Sequence, residues 1–341
     1  MQSWGEWTGH IAKLGLVAAV LMSQAPPVKA APAPLKTIKQ LTIYLAPLYV
    51  AAEEHLDEKH GMKFELATIT AGAQIPVMLL NGELDVSTCT LDKIANLYQQ
   101  GKHVVAFYLL LPHPTLDLAV SNQLAESSGV TTTSPLPDRL SALKGRRFGI
   151  SEPGSASDIF TRALLRSAGI GMDDVDLVRT GTIPGLFAAL KSGQIDGFML
   201  SPPSPDQVEA AKIGRIWIRL TTNEVPALAH IPYMTFCARE DYAKAHAALL
   251  TGFAAAIEEA TRWMHANRTE TLAIMGRMFP NVSAAVWGKA FDAFLPIFSA
   301  DGRMTEAGMA AGYALYNELG IATGKPDARE GLTWTNAYLG K

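Results

Sequence analysis

The sequence predicts an α/β protein of two similar lobes with a cleft between them, and three observations predict it. Its 341 residues exceed the roughly 250–300 at which a single hydrophobic core usually splits. Short β-branched runs alternate with amphipathic stretches, the pattern of a parallel sheet covered by helices. The same order of elements then occurs twice along the chain.

The first unit reads as a strand over 41–45 (LTIYL), followed by a helix that runs to His60 and stops at Gly61. A strand over 64–69, a helix over 75–80 and a strand over 84–88 come next, and a further helix through Leu97 leads to a strand over 103–107. The second unit repeats this order. It has a strand over 147–150, a helix over 155–167 closed by Gly169, a strand over 175–178, a helix over 186–191 and a strand over 195–200. Local sequence agrees with the order: Gly61 pairs with Gly169 and Pro76 with Pro184. LLNGELDV also matches ALKSGQIDGF, which pairs Gly82 with Gly193 and Asp85 with Asp196. Two copies followed by a long helical region do not make a solenoid. Beyond residue 225 a strand over 233–237 precedes a helix over 242–264 and further helices over 269–278, 284–298 and 305–319, with the apolar spacing of helices packed on a core. The last residues, WTNAYLGK, read as an irregular tail whose Trp334 and Tyr338 pack back on the body. Residues 35–115 are therefore assigned to the first part of lobe 1, 116–224 to lobe 2, and 225–341 to a return to lobe 1.

Residues 1–30 are assigned to a signal peptide. An apolar run over 14–22 follows Lys13, a proline pair comes after it, and Val28 and Ala30 suit a cut after Ala30. The run is well short of the ~20 residues a membrane span needs. A net charge of −3, with no basic run longer than Arg146-Arg147, gives nothing to hold a phosphate backbone, so nucleic acid is not an expected partner. Cys89 and Cys237 are the two cysteines. Both lie in apolar strand-like stretches, where buried free thiols are the expectation, and two cysteines without clustered histidines leave no expected metal site.

In open α/β sheets, ligands bind outside the carboxyl ends of the strands. The loops at those ends are 46–49, 71–74 and 88–90 in lobe 1, and 152–157, 181–184 and 201–202 in lobe 2. Most of them open a helix, whose first N–H groups are unpaired and carry partial positive charge. They contain no Arg or Lys, so an anion there would rest on amides and hydroxyls, while a neutral or aromatic solute would suit Leu48, Tyr49 and Pro184 equally. Tyr44 and Tyr49 either stack on a ligand or pack a sheet edge. Asp85 and Asp196 favour a turn role over an acid–base pair. Ser151, Ser155 and Ser157 favour helix capping over nucleophilic chemistry, since G-x-S-x-G is absent. His113 and His230 sit beside prolines in segments that cross between the lobes, where a histidine can face the cleft.

Four stretches carry a resemblance. These are LTIYL with YVAAEE behind it, LLNGELDV, LKGRRFGISEPGSASD and LKSGQIDGFMLSPP. Together they resemble the nitrate/sulfonate/taurine substrate-binding proteins of ABC importers, a family that includes NMT1/THI5-like and SsuA-like proteins, over roughly residues 38–265. The resemblance implies a periplasmic-binding-protein type II fold, two α/β lobes joined by a hinge with the ligand cleft between them. It implies a ligand held by Tyr49, Gly72, Gln74, Thr88, Thr90, Ser155, Ala156, Ser157 and Pro184, to which the residue reading adds His113. It further implies a monomer in the periplasm that needs no cofactor, has no catalytic residue, and delivers a small anion or heteroaromatic solute to a permease and its ATPase. No P-loop occurs in the chain, so energy coupling falls to those partners. A pyrimidine-precursor synthase shares the fold, and a periplasmic sensor shares the architecture; these are the rival expectations.

Overall fold

The computed structural model describes residues 32–340 except 70, 71, 230, 319 and 321–325. The signal segment, Ala71 and His230 lie outside the described residues. The first strand, β1 (Ala33–Lys39), pairs in parallel with β2 (Met62–Thr68), and between them lie α1 (Ala46–Glu53) and α2 (Leu56–Lys59). Helix α3 (Ile75–Leu80) leads to β3 (Val86–Thr90), and α4 (Leu91–Gln99) leads to β4 (Val104–Leu111). The chain then crosses into β5 (Asp117–Ser121), passes α5 (Asn122–Ser127) and α6 (Leu136–Ser141), and enters β6 (Arg147–Ile150). After it come α7 (Ala156–Ser167), β7 (Asp176–Arg179), α8 (Ile183–Lys191), β8 (Gly197–Leu200), α9 (Ser204–Ala210) and β9 (Gly214–Arg219). The return is β10 (Met234–Arg239), followed by α10 (Glu240–Ala245), α11 (Ala247–Ala266), α12 (Arg268–Met278), α13 (Ala284–Phe294) and α14 (Glu306–Glu318).

The two sheets are built alike. In lobe 2 the order is β7-β6-β8-β5-β9, with β6 parallel to β7 and β8, and β5 antiparallel to both of its neighbours. In lobe 1, β10 lies antiparallel between β3 and β4. The β1–β2 pair joins this ladder where the Asp85 amide donates to the Lys36 carbonyl at 2.9 Å, giving the matching order β2-β1-β3-β10-β4. The two aspartates of the sequence repeat hold equivalent joints. Asp85 Oδ2 accepts from the Lys36 amide at 2.9 Å, and Asp196 Oδ2 accepts from the Arg147 amide at 2.8 Å. Their role is structural, as the sequence favoured over acid–base chemistry, but it joins strands instead of closing a turn.

The strand expected over 41–45 is not one. Residues 43–45 form a 3-10 turn that runs into α1, and the strand lies earlier, at β1. Every residue from Ile43 to Ala51 is buried, so this stretch is apolar without alternation, and periodicity cannot separate a buried strand from a buried helix over so short a run. Pro47 at the start of α1 fits a helix entry. The cysteines also depart from expectation: Cys89 and Cys237 are joined, with Cα atoms 5.9 Å apart. In the β3–β10 register Thr235 faces Cys89 and Cys237 faces Ser87, so the two thiols lie on one face of adjacent strands, inside the ~7 Å that a disulfide requires.

Ring contacts among Phe107, Phe236 and Phe253 tie α11 to the lobe 1 sheet. Trp334 in the tail is buried, and its backbone makes a bridge to Ala106, while the Tyr338 hydroxyl donates to the Ala243 carbonyl at 3.1 Å. Among the described residues no helix is long and apolar enough to cross a membrane.

Candidate functional site

Equivalent strands of the two sheets end facing one another, and the residues just past those ends wall a cavity of about 90 Å³. After β1 come Gln40, Leu41 and Thr42; after β6 come Ser151 and the start of α7; after β8 come Ser201 and Ser204. The crossing segments add Leu116 on one side and Tyr233 and Met234 on the other. A backbone hydrogen bond spans the cleft, from the Ile43 amide to the Pro202 carbonyl at 3.1 Å.

Six of the residues singled out in the sequence meet here: Gly72, Thr88, Thr90, Ser155, Ala156 and Ser157. Ser155 caps α7, its hydroxyl accepting from the Asp158 amide, and Ser157 Oγ lies 2.9 Å from Ser155 Oγ and 3.1 Å from Ser151 Oγ. The first amides of α7, those of Ala156 and Ser157, have no carbonyl one turn back to bond. The other four candidates lie elsewhere. The Tyr49 hydroxyl donates to the Gln40 carbonyl at 2.6 Å and accepts from the Gln40 amide at 2.9 Å, so it fixes the loop behind the wall. Gln74 is exposed at the start of α3, Pro184 borders a separate groove, and His113 hydrogen-bonds the Pro114 carbonyl away from the wall.

Two further wall residues bear on its chemistry: Tyr44, which the sequence left between ligand stacking and sheet packing, and Lys93, which it did not single out. Tyr44, one turn before Tyr49, lines the cavity, and its hydroxyl donates to Gln40 Oε1 at 3.0 Å. Burial pushes its phenol well above the usual range, so it stays protonated and keeps this hydrogen bond to Gln40. The second is Lys93, in the first turn of α4. A cleft free of Lys and Arg was expected from the loops; the helix that follows Thr90 turns this lysine onto the wall. Burial lowers the pKa of its ammonium, and the neighbouring Asp92 carboxylate opposes that shift. Burial also raises the Asp92 carboxyl. No hydrogen bond or ion pair to Lys93 from the described residues accompanies this Coulombic pairing. Thr42 Oγ1, buried and on the wall, likewise lacks a partner.

The wall thus offers one cation, several hydroxyls and the unpaired amides at the start of a helix, and the residues that line it include no histidine or carboxylate. This donor set suits a small, charge-dense acceptor. A metal would need oxygen, nitrogen or sulfur ligands in a cluster, and no group of three or more acidic, histidine or cysteine residues stands together among the described residues.

Comparison with known proteins gives the family. The NMT1-like family model matches residues 38–278. An ABC transporter periplasmic binding protein of Brachyspira hyodysenteriae is 26% identical over 191 residues, 53% of this chain and 52% of that protein. The nitrate/nitrite binding protein NrtA of Nostoc sp. is 29% identical over 145 residues, 42% of this chain and 32% of that protein. The matched stretches span about half the length of the first relative and a third of the second. Among solved structures, the periplasmic aliphatic sulphonate binding protein SsuA of Escherichia coli superposes with a TM-score of 0.68 at 20% identity, covering 90% of this chain and 99% of that one. That likeness carries the fold. With a family model matched over well more than half its length, the chain belongs to the NMT1-like family, and it has the periplasmic binding protein fold.

Proposed function

We propose that this chain is the solute-binding component of an ABC importer, and that it captures a small anion in the cavity between its lobes. The observation that carries the reading is Lys93: a half-buried lysine whose charge has a Coulombic partner in its neighbour Asp92 and no ion pair among the described residues, on a wall of hydroxyls and helix-start amides drawn from both lobes. An anion there replaces lost hydration with charge-assisted hydrogen bonds. Because it touches both lobes, it favours the closed arrangement over the open one. The closed form is what a membrane permease would recognise. Relatives named as binding proteins support a binding role over catalysis. The periplasm as the place of work and a monomer as the working form are part of the same reading.

The cavity has room for on the order of six to nine water-sized atoms at ~10–15 Å³ each, the size of a nitrate, a short carboxylate or a short sulfonate. Calorimetry of the mature chain against these anions, with pyrimidines as the heteroaromatic comparison, tests the proposal. One saturable anion recovered unchanged supports it, and Lys93→Met is expected to weaken that anion by about 1.5–3 kcal/mol, the usual worth of a charged hydrogen bond. An anion that binds equally well to Lys93→Met removes the basis of the reading, and a solute recovered chemically altered returns the enzyme to first place.

A further inference from the structure

The small cavity adjoins two grooves of opposite character. On one side, Lys93 lines both the cavity and a groove of about 510 Å³ that carries Asp92, Asp158, Arg162 and Arg166. On the other, Gln40, Leu41 and Ile183 line both the cavity and a groove of about 480 Å³. That second groove is walled by Leu41, Ile69, Ile183, Pro184, Phe187 and Phe279. The rings of Phe187 and Phe279 are half-buried, and Pro184 is exposed. Lys39 lies over the Phe279 ring at 5.4 Å from its centroid.

We propose that the second groove is a subsite for an aryl group, so that the solute is an aromatic organic anion with its acid group in the inner cavity and its ring between Phe187 and Phe279. The proposal deepens the anion-binding reading and rests on it. Three features carry it. The groove adjoins the cavity, with Gln40, Leu41 and Ile183 lining both, so a short linker passing these residues would join the two sites. Its walls come from both lobes: Leu41 and Ile69 follow β1 and β2, Ile183, Pro184 and Phe187 belong to α8, and Phe279 follows α12. An occupant therefore adds to lobe closure, as the acid group does. Finally, half-exposed aromatic and aliphatic side chains gathered in one concavity gain by covering each other with apolar surface, and an aryl ring presents edges and faces that suit them.

The test compares two series by calorimetry on the mature chain: acetate, propionate and methanesulfonate against phenylacetate, 3-phenylpropionate and phenylmethanesulfonate, with glutarate as a dianion. The aryl acids are expected to bind about tenfold tighter or more than their short counterparts, since even one well-placed apolar group discriminates by roughly 10–200-fold. That ratio is expected to shrink in Phe187→Ala. It is expected to shrink also in Pro184→Asp, which puts a carboxylate in the groove at a helix start where it is tolerated. Because the readout is a ratio within each variant, general destabilisation does not mimic it. Short anions that bind while aryl acids bind no tighter overturn the subsite alone. A ratio that survives both substitutions, or glutarate binding above the aryl acids, overturns it too and places the tail elsewhere. If neither series binds, the anion reading falls and the subsite falls with it.

Discussion

Lys93 sits where a cation is disfavoured, in the first turn of a helix whose N-terminus already carries partial positive charge. That misfit is the signal in TLDKIAN, one that lies just beyond a loop ending at Thr90. With its pKa lowered by burial, Lys93 loses its proton below the pH at which an ordinary lysine does. Since the protonated form attracts the anion, affinity is expected to fall as pH rises through that lowered value, and the fall should vanish in Lys93→Met; calorimetry across alkaline pH reads it. Asp117 belongs to the same scale. It is buried where the chain crosses into lobe 2, accepting from the Thr221 amide at 3.2 Å, from the Thr221 hydroxyl, and from Arg219 at 3.1 Å. Burial raises its pKa from 3.8 to about 6, against the pull of Thr221 and Arg219. A folded value above the unfolded one means that Asp117's contribution to stability is fully present below about 4 and is lost as pH rises through about 6. Denaturant unfolding from pH 3.5 to 7.5 is expected to show a decline over that window that Asp117→Asn lacks.

At the scale of elements, much of the chain was legible where turn chemistry and periodicity agreed. Helix α3 and strand β6 match their expected ranges, and Ser155 caps α7 as expected. Strand β1 was displaced because APLKTIK contains a proline and two lysines, whereas the neighbouring IYLAPLYVA looked more strand-like yet is buried as a turn and helix. The repeat itself held the correction. The hydrogen bonds from the Lys36 amide to Asp85 and from the Arg147 amide to Asp196 each span 49 residues, so stepping back from NGELD by the interval that separates SGQID from the start of β6 lands on β1. Strand β5 is hidden in the sequence because its counterpart in lobe 1 is β10, which comes only with the return, whereas β9 has a counterpart in β4 that could have marked it. Six of ten proposed ligand residues share one wall because strand ends are readable from order; the sequence left Tyr44 open between stacking and packing, and Lys93 needed the local path of the chain. The disulfide follows from pairing β3 with β10, which sequence distance concealed. Its two ends are 148 residues apart, and chain entropy for a loop of that length is worth up to about 5 kcal/mol. The double substitution Cys89→Ala with Cys237→Ala is therefore expected to lower the melting temperature by several degrees, as read by calorimetric melting. A shift no larger than that of a surface substitution would mean the bridge contributes little.

Across the whole molecule, contacts between lobes set how readily the cleft closes. Lys289 of α13 reaches α9 of lobe 2, lying 3.4 Å from Asp206 and 2.5 Å from Glu209, and it touches no residue of the cavity wall. Lys289 is half-exposed, so the link is worth about 1 kcal/mol. Lys289→Ala is expected to weaken ligand binding by roughly fivefold at that energy and to enlarge the ligand-free radius of gyration in solution scattering; unchanged values of both would show that the contact does not govern closure. The strand order has a consequence in time as well as in space. All five strands of lobe 2 come from one uninterrupted stretch, Asp117 to Arg219, whereas the lobe 1 sheet lacks the strand that joins β3 to β4 until Met234–Arg239 has been made. A chain emerging amino end first must therefore hold the earlier half of lobe 1 unfinished while the later-starting lobe completes itself. The Cys89–Cys237 bond then records the moment at which the older half is finally closed.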